Sequence, residues 1–347
     1  MASSSITEDI MEQQTALILG ASGGIGGEVM RQLMRAGWAV RALSRNPQAQ
    51  HEHGGVDWIR GDAMAAADVM AASRGCTLIV HAVNPPGYRN WAGQVLPMLR
   101  NTIAAAEANG ALVLLPGTVY NYGPDAFPLV DEDAPQRPLT RKGQLRVRME
   151  QALEAFCARG GRALIVRAGD FFGPQAGNTW FAQGLVKPGR LPRRIANPGR
   201  AGVGHQWAYL PDVAATMVAL LERRDRLEPF ARFHMAGHWD PDGSAMAGAI
   251  RQVAARHGIE ARVAAFPWWA VPLAAPFNET MRELLEMRYL WRQPVQLENA
   301  RLAAVLGAEP HTPLLDAVER TLAGLGCLPD GRMEQGNRAL PAAAGKG

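Results

Sequence analysis

The sequence predicts an α/β chain built on a doubly wound parallel sheet. Three observations carry this: short apolar runs recur along the first half, segments of helical periodicity separate most of them, and a glycine-rich turn follows the first run. "TALIL" (15–19) reads as a buried strand. "GASGGIGGEVMRQLMRAG" turns it into a helix, with Val29, Leu33 and Met34 at helical spacing. Further strands are read at "AVRALS" (39–44), "VDWIRGD" (56–62), "TLIVHAV" (77–83) and "ALVLLPGT" (111–118). Residues 140–159 read as a helix with Leu145, Met149, Leu153 and Phe156 on one stripe, and "RALIVRAGDFFGP" supplies a sixth strand. "QWAYLPDVAATMVALLE" reads as strand and helix, and "FARFHMAG" as one more strand. Residues 174–204, rich in Gly, Pro and Arg, read as loops that cover a site.

At 347 residues the chain is long enough for one large domain or two joined ones. No apolar run approaches the roughly 18 residues of a membrane span, so no membrane partner is expected. The first 14 residues lack the basic start and apolar core of a secretory signal, which points to the cytoplasm. The net charge of +4 comes from arginines scattered along the chain, so a nucleic-acid partner is not expected. Cys76, Cys157 and Cys327 are odd in number and far apart, indicating neither a disulfide framework nor a zinc site. Clusters of His, Asp and Glu are missing as well, so the expected metal content is none.

Gly20, Gly23 and Gly26 form GxxGxxG between strand and helix. Such glycines permit a tight turn and let backbone amides approach a pyrophosphate at the helix N-terminus. Ser22, Gly24 and Ile25 fall within the same turn. Where NAD-binding domains close the second strand with an acid that holds the ribose 2′-hydroxyl, this chain has Ser44 and Arg45. A carboxylate would repel a 2′-phosphate, whereas Arg grips one with paired charge-assisted hydrogen bonds. NADP(H) is therefore expected in preference to NAD(H). Asp62 either meets an adenine amino group or caps the helix that follows.

The glycine spacing, "VRALSRNP", "GDAM", "LIVHAV", "NTIAAAEANG", "RAGDFFGP" and "WAYLPDVA" come in an order that resembles the extended and atypical short-chain dehydrogenase/reductases, the NAD-dependent epimerase/dehydratase family. The likeness runs over about residues 15–325. It implies a Rossmann domain (15–170 and 205–236), a smaller discontinuous substrate domain (171–204 and 237–328), flexible termini (1–14 and 329–347) and room for a homodimer. It also implies that Ala63, Ala82, Val83, Gly117, Lys142, Ala168 and Phe171 join the cofactor site. Asn84, Phe172, Asn178, Trp180, His205 and Trp207 are implied around a small-molecule substrate.

The family relies on a Ser or Thr after the fifth strand and on Tyr-x-x-x-Lys in the next helix. Laying "TVYNYG" on the family's SxxVYG puts Thr118 in the hydroxyl place; sliding it by two would put Pro116 there. No tyrosine of this chain has Lys four residues on. Matching through "MEQAL" lays Lys142 on the tyrosine and Arg146 on the lysine. Three readings of this pair stay open. Lys142 and Thr118 polarise a carbonyl, with Lys142 also able to give a proton and Arg146 on the ribose; or the pair only anchors cofactor; or both lie on a solvated helix face with Glu150 beside Arg146. The expected activity is hydride transfer to a small carbonyl or conjugated substrate. The alternatives are an epimerase or dehydratase acting on a modified sugar, and a non-catalytic NADP(H) sensor.

Overall fold

The computed structural model describes residues 14–50, 54–85, 91–177, 179–276 and 279–329. Apart from residues 14 and 329, the terminal segments lie outside these, as does Asn178. Seven parallel strands form the main sheet: β1 (Thr15–Leu19), β2 (Ala39–Ser44), β3 (Val56–Arg60), β4 (Leu78–His81), β5 (Leu112–Thr118), β7 (Arg162–Ala168) and β11 (Phe230–His234). Their order is β11-β7-β5-β4-β1-β2-β3. Order reverses beside β1, and ligands of such sheets bind at that switch point, outside the strand C-termini.

Helices cover both faces, which is why the strands are apolar runs instead of alternating ones. On one face, α1 (Gly24–Arg35) and α5 (Leu210–Leu221) pack over Ile18, Val80, Leu114 and Val166. On the other, α2 (Ala66–Ala72), α3 (Trp91–Asn109) and α4 (Arg141–Ala158) pack over Leu17, Ile79, Val113 and Ile165. The predicted α4 stripe of Leu145, Met149, Leu153 and Phe156 is buried there.

The segment read as a sixth strand is two strands. β7 stops at Ala168, and β8 (Asp170–Phe172) joins β10 (His205–Tyr209) and β12 (His238–Asp240) in a second sheet. Gly169 makes the break: a Cβ there would stand 2.3 Å from the Gln206 carbonyl oxygen. Residues 174–204 also hold more order than loops, namely a π-helical turn at Phe181–Leu185 and β9 (Arg194–Asn197), which pairs with β13 (Arg262–Ala265). A further small sheet joins β6 (Leu129–Val130) to β14 (Gln296–Leu297). The remaining helices are α6 (Ala245–Arg256), α7 (Val271–Ala274), α8 (Glu279–Glu286), α9 (Ala300–Leu306) and α10 (Leu314–Gly324). α6 and α10 enclose a third core around Phe172, Phe181, Trp207 and Trp291.

One buried ion pair ties α4 to β7. Arg167 is fully buried and Glu150 nearly so; Arg167 Nε donates to Glu150 Oε1 at 3.0 Å and Nη2 to Oε2. Removing one partner of such a pair leaves an uncompensated charge in the core, whereas replacing both does not. Arg167→Met should therefore lower unfolding stability by about 3–5 kcal/mol, and adding Glu150→Leu should restore a large part of it. Urea unfolding of the two variants checks this, and a single variant as stable as the parent would contradict it.

Candidate active site

A cleft of about 910 Å³ opens at the C-terminal ends of β1–β4. Gly20 has φ +92°, and a Cβ there would stand 2.6 Å from the Ala82 carbonyl oxygen. A Cβ on Gly26 would stand 2.2 Å from the Gly20 carbonyl oxygen, so α1 meets the end of β1 only because both positions are glycine. Gly23 caps α1 with no side-chain bond and no acid follows in the first turn, which leaves the positive end of the helix facing the cleft. This cradle fits a dinucleotide diphosphate.

Ser44, Arg45 and Asn46 line the outer end of the cleft. Asp62 lines it too, but it does not cap α2. The helix begins after Ala65 without a side-chain cap, and Asp62 Oδ1 instead accepts from the Met64 amide at 3.0 Å. Ala63, Ala82, Val83, Asn84 and Phe171 complete the inner wall with Gln94 and Met98 of α3. Over the top run Gln175, Ala176, Gly177 and Thr179, and Arg31 of α1 donates to Gln175 Oε1 at 2.6 Å.

Gly117, Thr118, Lys142, Arg146 and Ala168 do not line this cleft. They lie one strand further along, at the end of β5 and on the helix packed over it. A Cβ on Gly117 would stand 2.5 Å from Arg167 Cγ, and Ala168 is in the core. Thr118 Oγ1 accepts from the Tyr120 amide at 3.3 Å and starts the turn Val119–Asn121. α4 seats on that turn because residue 143 is glycine; a Cβ there would stand 2.2 Å from the Tyr120 carbonyl oxygen. Thr140 caps α4 through the Gly143 amide at 3.0 Å, and Glu286 accepts from the Arg141 amide. Thr118 and the first turn of α4 are thereby brought together.

Lys142 is 5% exposed and Arg146 8%, so the face they share is not solvated. Arg146 lies over the Trp91 ring at 5.5 Å, with Nη1 at 3.4 Å from the Pro116 carbonyl oxygen. Glu150, the next residue of the stripe, is engaged by Arg167. His81, at the end of β4, was not singled out by sequence. Its Nδ1 meets Thr102 Oγ1 at 2.8 Å, and burial together with the Arg146 charge lowers its pKa to about 3.

Among the residues expected around substrate, Asn84 lines the cleft. Phe172 and Trp207 are in the third core, and Trp180 packs on Phe266, Trp268 and Trp291. Their bulk went into packing, as it does for most aromatic side chains. His205 is engaged on several sides. Its Nε2 lies 2.9 Å from Asp170 Oδ2, its Nδ1 lies 3.2 Å from the Leu290 carbonyl oxygen, and its ring stacks on Trp291 at 3.8 Å. Tyr120 Oη donates to the same carboxylate, at Oδ1, over 3.2 Å. Asp170 stands in the "RAGDFFGP" motif and Tyr120 in "TVYNYG", yet neither residue type in its own segment signals the other. Among the described residues no group of three or more His, Cys, Asp or Glu could hold a metal ion, and no helix is long and apolar enough to cross a membrane.

A seven-stranded parallel sheet with a glycine cradle at its switch point defines a dinucleotide-binding α/β fold. The family model described as NAD dependent epimerase/dehydratase family matches residues 16–236, and the chain belongs to that family. Membership makes it an enzyme of the nicotinamide-dependent epimerase/dehydratase class. Comparison with curated protein sequences gives no match. Among solved structures, the fold is similar to MoeE5 in complex with UDP-glucose and NAD, at 18% identity over 90% of this chain and 98% of that one, with a TM-score of 0.66. It is similar to UDP-glucuronic acid 4-epimerase from Bacillus cereus in complex with NAD, at 14% identity over the same shares, with a TM-score of 0.68. A third is UDP-glucose 4-epimerase from Thermotoga maritima with UDP-glucose, at 13% identity over 90% and 98%, with a TM-score of 0.69.

Burial and the Arg167 charge likewise lower His234 to about 3. His81 and His234 are therefore neutral in the fold but take protons when unfolded below about pH 6.5. Their contribution to stability is whole above that pH and is lost as pH falls toward their folded values. At pH 5 the loss should be roughly 2 kcal/mol for each, measured by denaturant unfolding at pH 7 and pH 5. Stability unchanged between the two would contradict the buried, neutral assignment.

Proposed function

We propose that the protein is an NADP(H)-dependent oxidoreductase that transfers hydride at a small carbonyl or conjugated substrate in the cytoplasm. The observation that carries this reading is the pairing of two features at strand ends on either side of β4: a glycine cradle leading to Ser44 and Arg45, and Thr118 set against the first turn of α4. Among the described residues lining the cleft, Asp62 is the one acid, and it accepts from the Met64 amide. At the end of β2 itself stand Ser44 and Arg45 and no carboxylate, which supports NADP(H) even though two of the similar solved structures carry NAD.

A bound nicotinamide would supply or accept the hydride. Gly20, Gly23 and Gly26 would hold its diphosphate, and Ser44 and Arg45 the adenosine end. Thr118 and Lys142 would polarise the substrate oxygen, with Arg146 adding positive potential from behind. Negative charge developing on that oxygen meets two cations and the positive end of α4, an arrangement of preset charge that favours an oxyanion. The UDP-sugars in the similar structures support a second reading, in which the enzyme oxidises and then re-reduces a sugar carbon with cofactor retained.

A panel of carbonyls, enones and nucleotide sugars, followed by cofactor absorbance and product analysis, separates the readings. Net consumption of NADPH supports the oxidoreductase; sugar conversion without net consumption supports the epimerase or dehydratase. Titration should show tighter NADPH than NADH, and Arg45→Asp should reverse the order by about tenfold or more, the worth of a charge-assisted bond. Tighter NADH binding by the parent protein would refute the NADP(H) assignment. Lys142→Met should lower kcat/KM roughly 100-fold if Lys142 holds the oxyanion, and an unchanged value would remove it from the chemistry.

A further inference from the structure

Oxidising a carbinol requires a group to take its proton, and reducing a carbonyl requires one to give it. The phenol the family uses for this is lysine here, and a cation beside Arg146 is suited to holding an oxyanion. Another phenol stands two residues beyond Thr118. Tyr120 shares a turn with Thr118, its carbonyl supports α4 beside Lys142, and its hydroxyl donates to Asp170 Oδ1 at 3.2 Å.

The other oxygen of Asp170 completes a chain. Leu290 offers His205 only a carbonyl oxygen, which accepts, so Nδ1 carries a proton. Nε2 faces Asp170 Oδ2 at 2.9 Å, and that contact also needs a proton on its line. One arrangement that satisfies every group is a carboxylate accepting from Tyr120 on one side and from His205 on the other. Stacking on Trp291 at 3.8 Å and contact with Trp207 at 4.9 Å hold the imidazole in place. His205 is 7% exposed and Asp170 7%, so bulk water does not compete strongly for these bonds. A cavity of about 10 Å³ lies among Val119, Asp170, His205 and Leu290. Tyr289 is the further titratable group near Asp170; burial first, then the Asp170 charge, raises its hydroxyl well above the usual phenol range, so it stays neutral.

We propose that Tyr120, Asp170 and His205 form a proton relay for the substrate oxygen, with Tyr120 touching that oxygen and Asp170 and His205 acting through it. The assignment rests on the hydride-transfer reading above. In the oxidising direction, with nicotinamide as hydride acceptor, the substrate O–H bond breaks and its proton joins Tyr120 Oη as Tyr120's own proton passes to Asp170 Oδ1. The oxygen's freed electron pair forms the C=O bond as hydride leaves carbon. Asp170 later releases its proton to water, and the reducing direction runs each transfer backwards. His205 is a positioning residue, since its contact with Oδ2 keeps the carboxylate aimed at Tyr120.

One arm of the test needs no substrate. In protein labelled with 15N-histidine, the signal lost in His205→Gln identifies the ring. The relay requires both of its nitrogens to carry protons near neutral pH and Nε2 to become a bare acceptor in Asp170→Asn, whose amide donates. A bare Nε2 in the parent protein, or one indifferent to Asp170→Asn, overturns the proposal. The second arm uses whichever panel substrate turns over. Tyr120→Phe should lower kcat by roughly 100-fold or more with KM within about threefold. His205→Gln should shift a limb of the pH–rate profile, where a merely structural role would scale all points alike. Full kcat in Tyr120→Phe sinks the relay alone. A panel with no turnover sinks the hydride-transfer reading and the relay's catalytic role with it, while the histidine spectra still decide whether the shared proton exists.

Discussion

The Glu150–Arg167 ion pair is the constraint on which the placement of the chemistry depends. Two charges removed from water cost several kcal/mol each unless geometry and further hydrogen bonds compensate. Here they do. Glu150 also accepts from Asn121 Nδ2 at 2.8 Å and from Gln136 Nε2 at 3.1 Å, and Arg167 Nη1 meets Tyr122 Oη at 2.6 Å and His234 Nε2 at 2.9 Å. The carboxylate thus pulls together α4, the turn after β5 and β7, and the guanidinium adds β11 through His234. Lys142, Arg146 and Glu150 are successive members of one helical stripe, so anchoring Glu150 fixes the side of α4 that faces Thr118. His234 must stay neutral for this, since an imidazolium would face Arg167 in a buried site.

That stripe reads one way locally and another in three dimensions. In sequence, Glu150 stands one turn from Arg146 and suggests a weak surface pair. In the fold, Glu150 is committed to a residue on a neighbouring strand, and Arg146 rests on Trp91 and the Pro116 carbonyl. A helix start that gathers Lys142 and Arg146 with its own positive dipole is electrostatically costly in isolation. Glu286 at the Arg141 amide and the face of Trp91 offset part of that cost.

What was legible in the sequence was what one segment determines. Buried strands of a parallel sheet are apolar runs, so β1, β2, β4 and β5 stood out, and the glycine turn was visible because its backbone constraint lies within seven residues. The break at Gly169 was not, because its cause is a carbonyl on β10, met only after folding. The same holds for the paired side chains. Tyr120 and Asp170 are 50 residues apart, and His205 and Leu290 are 85 apart. Phe172, Trp180 and Trp207 are expected around substrate because aromatic type alone does not distinguish a cleft wall from a core; in the fold Phe172 and Trp207 are buried in the core and Trp180 packs against it partly buried.

The cofactor cradle and the reacting groups therefore differ in how they tolerate change. The cradle is made of backbone: a Cβ at Gly20 or Gly26 would collide with it, but side chains around it are free to vary. The proposed reacting groups are side chains held by long-range contacts, so on that reading a change of the catalytic pair need not disturb dinucleotide binding. A phenol beside a lysine combines two tasks in one pair, because the phenol transfers a proton while the ammonium supplies positive potential. In the proposed reading Lys142 and Arg146 keep the second task and strengthen it, while Arg146 has no proton to give. Stabilising an oxyanion and moving its proton are separable physical demands. In the proposed reading the second demand falls to side chains from other segments, and these become adjacent only when the sheet closes.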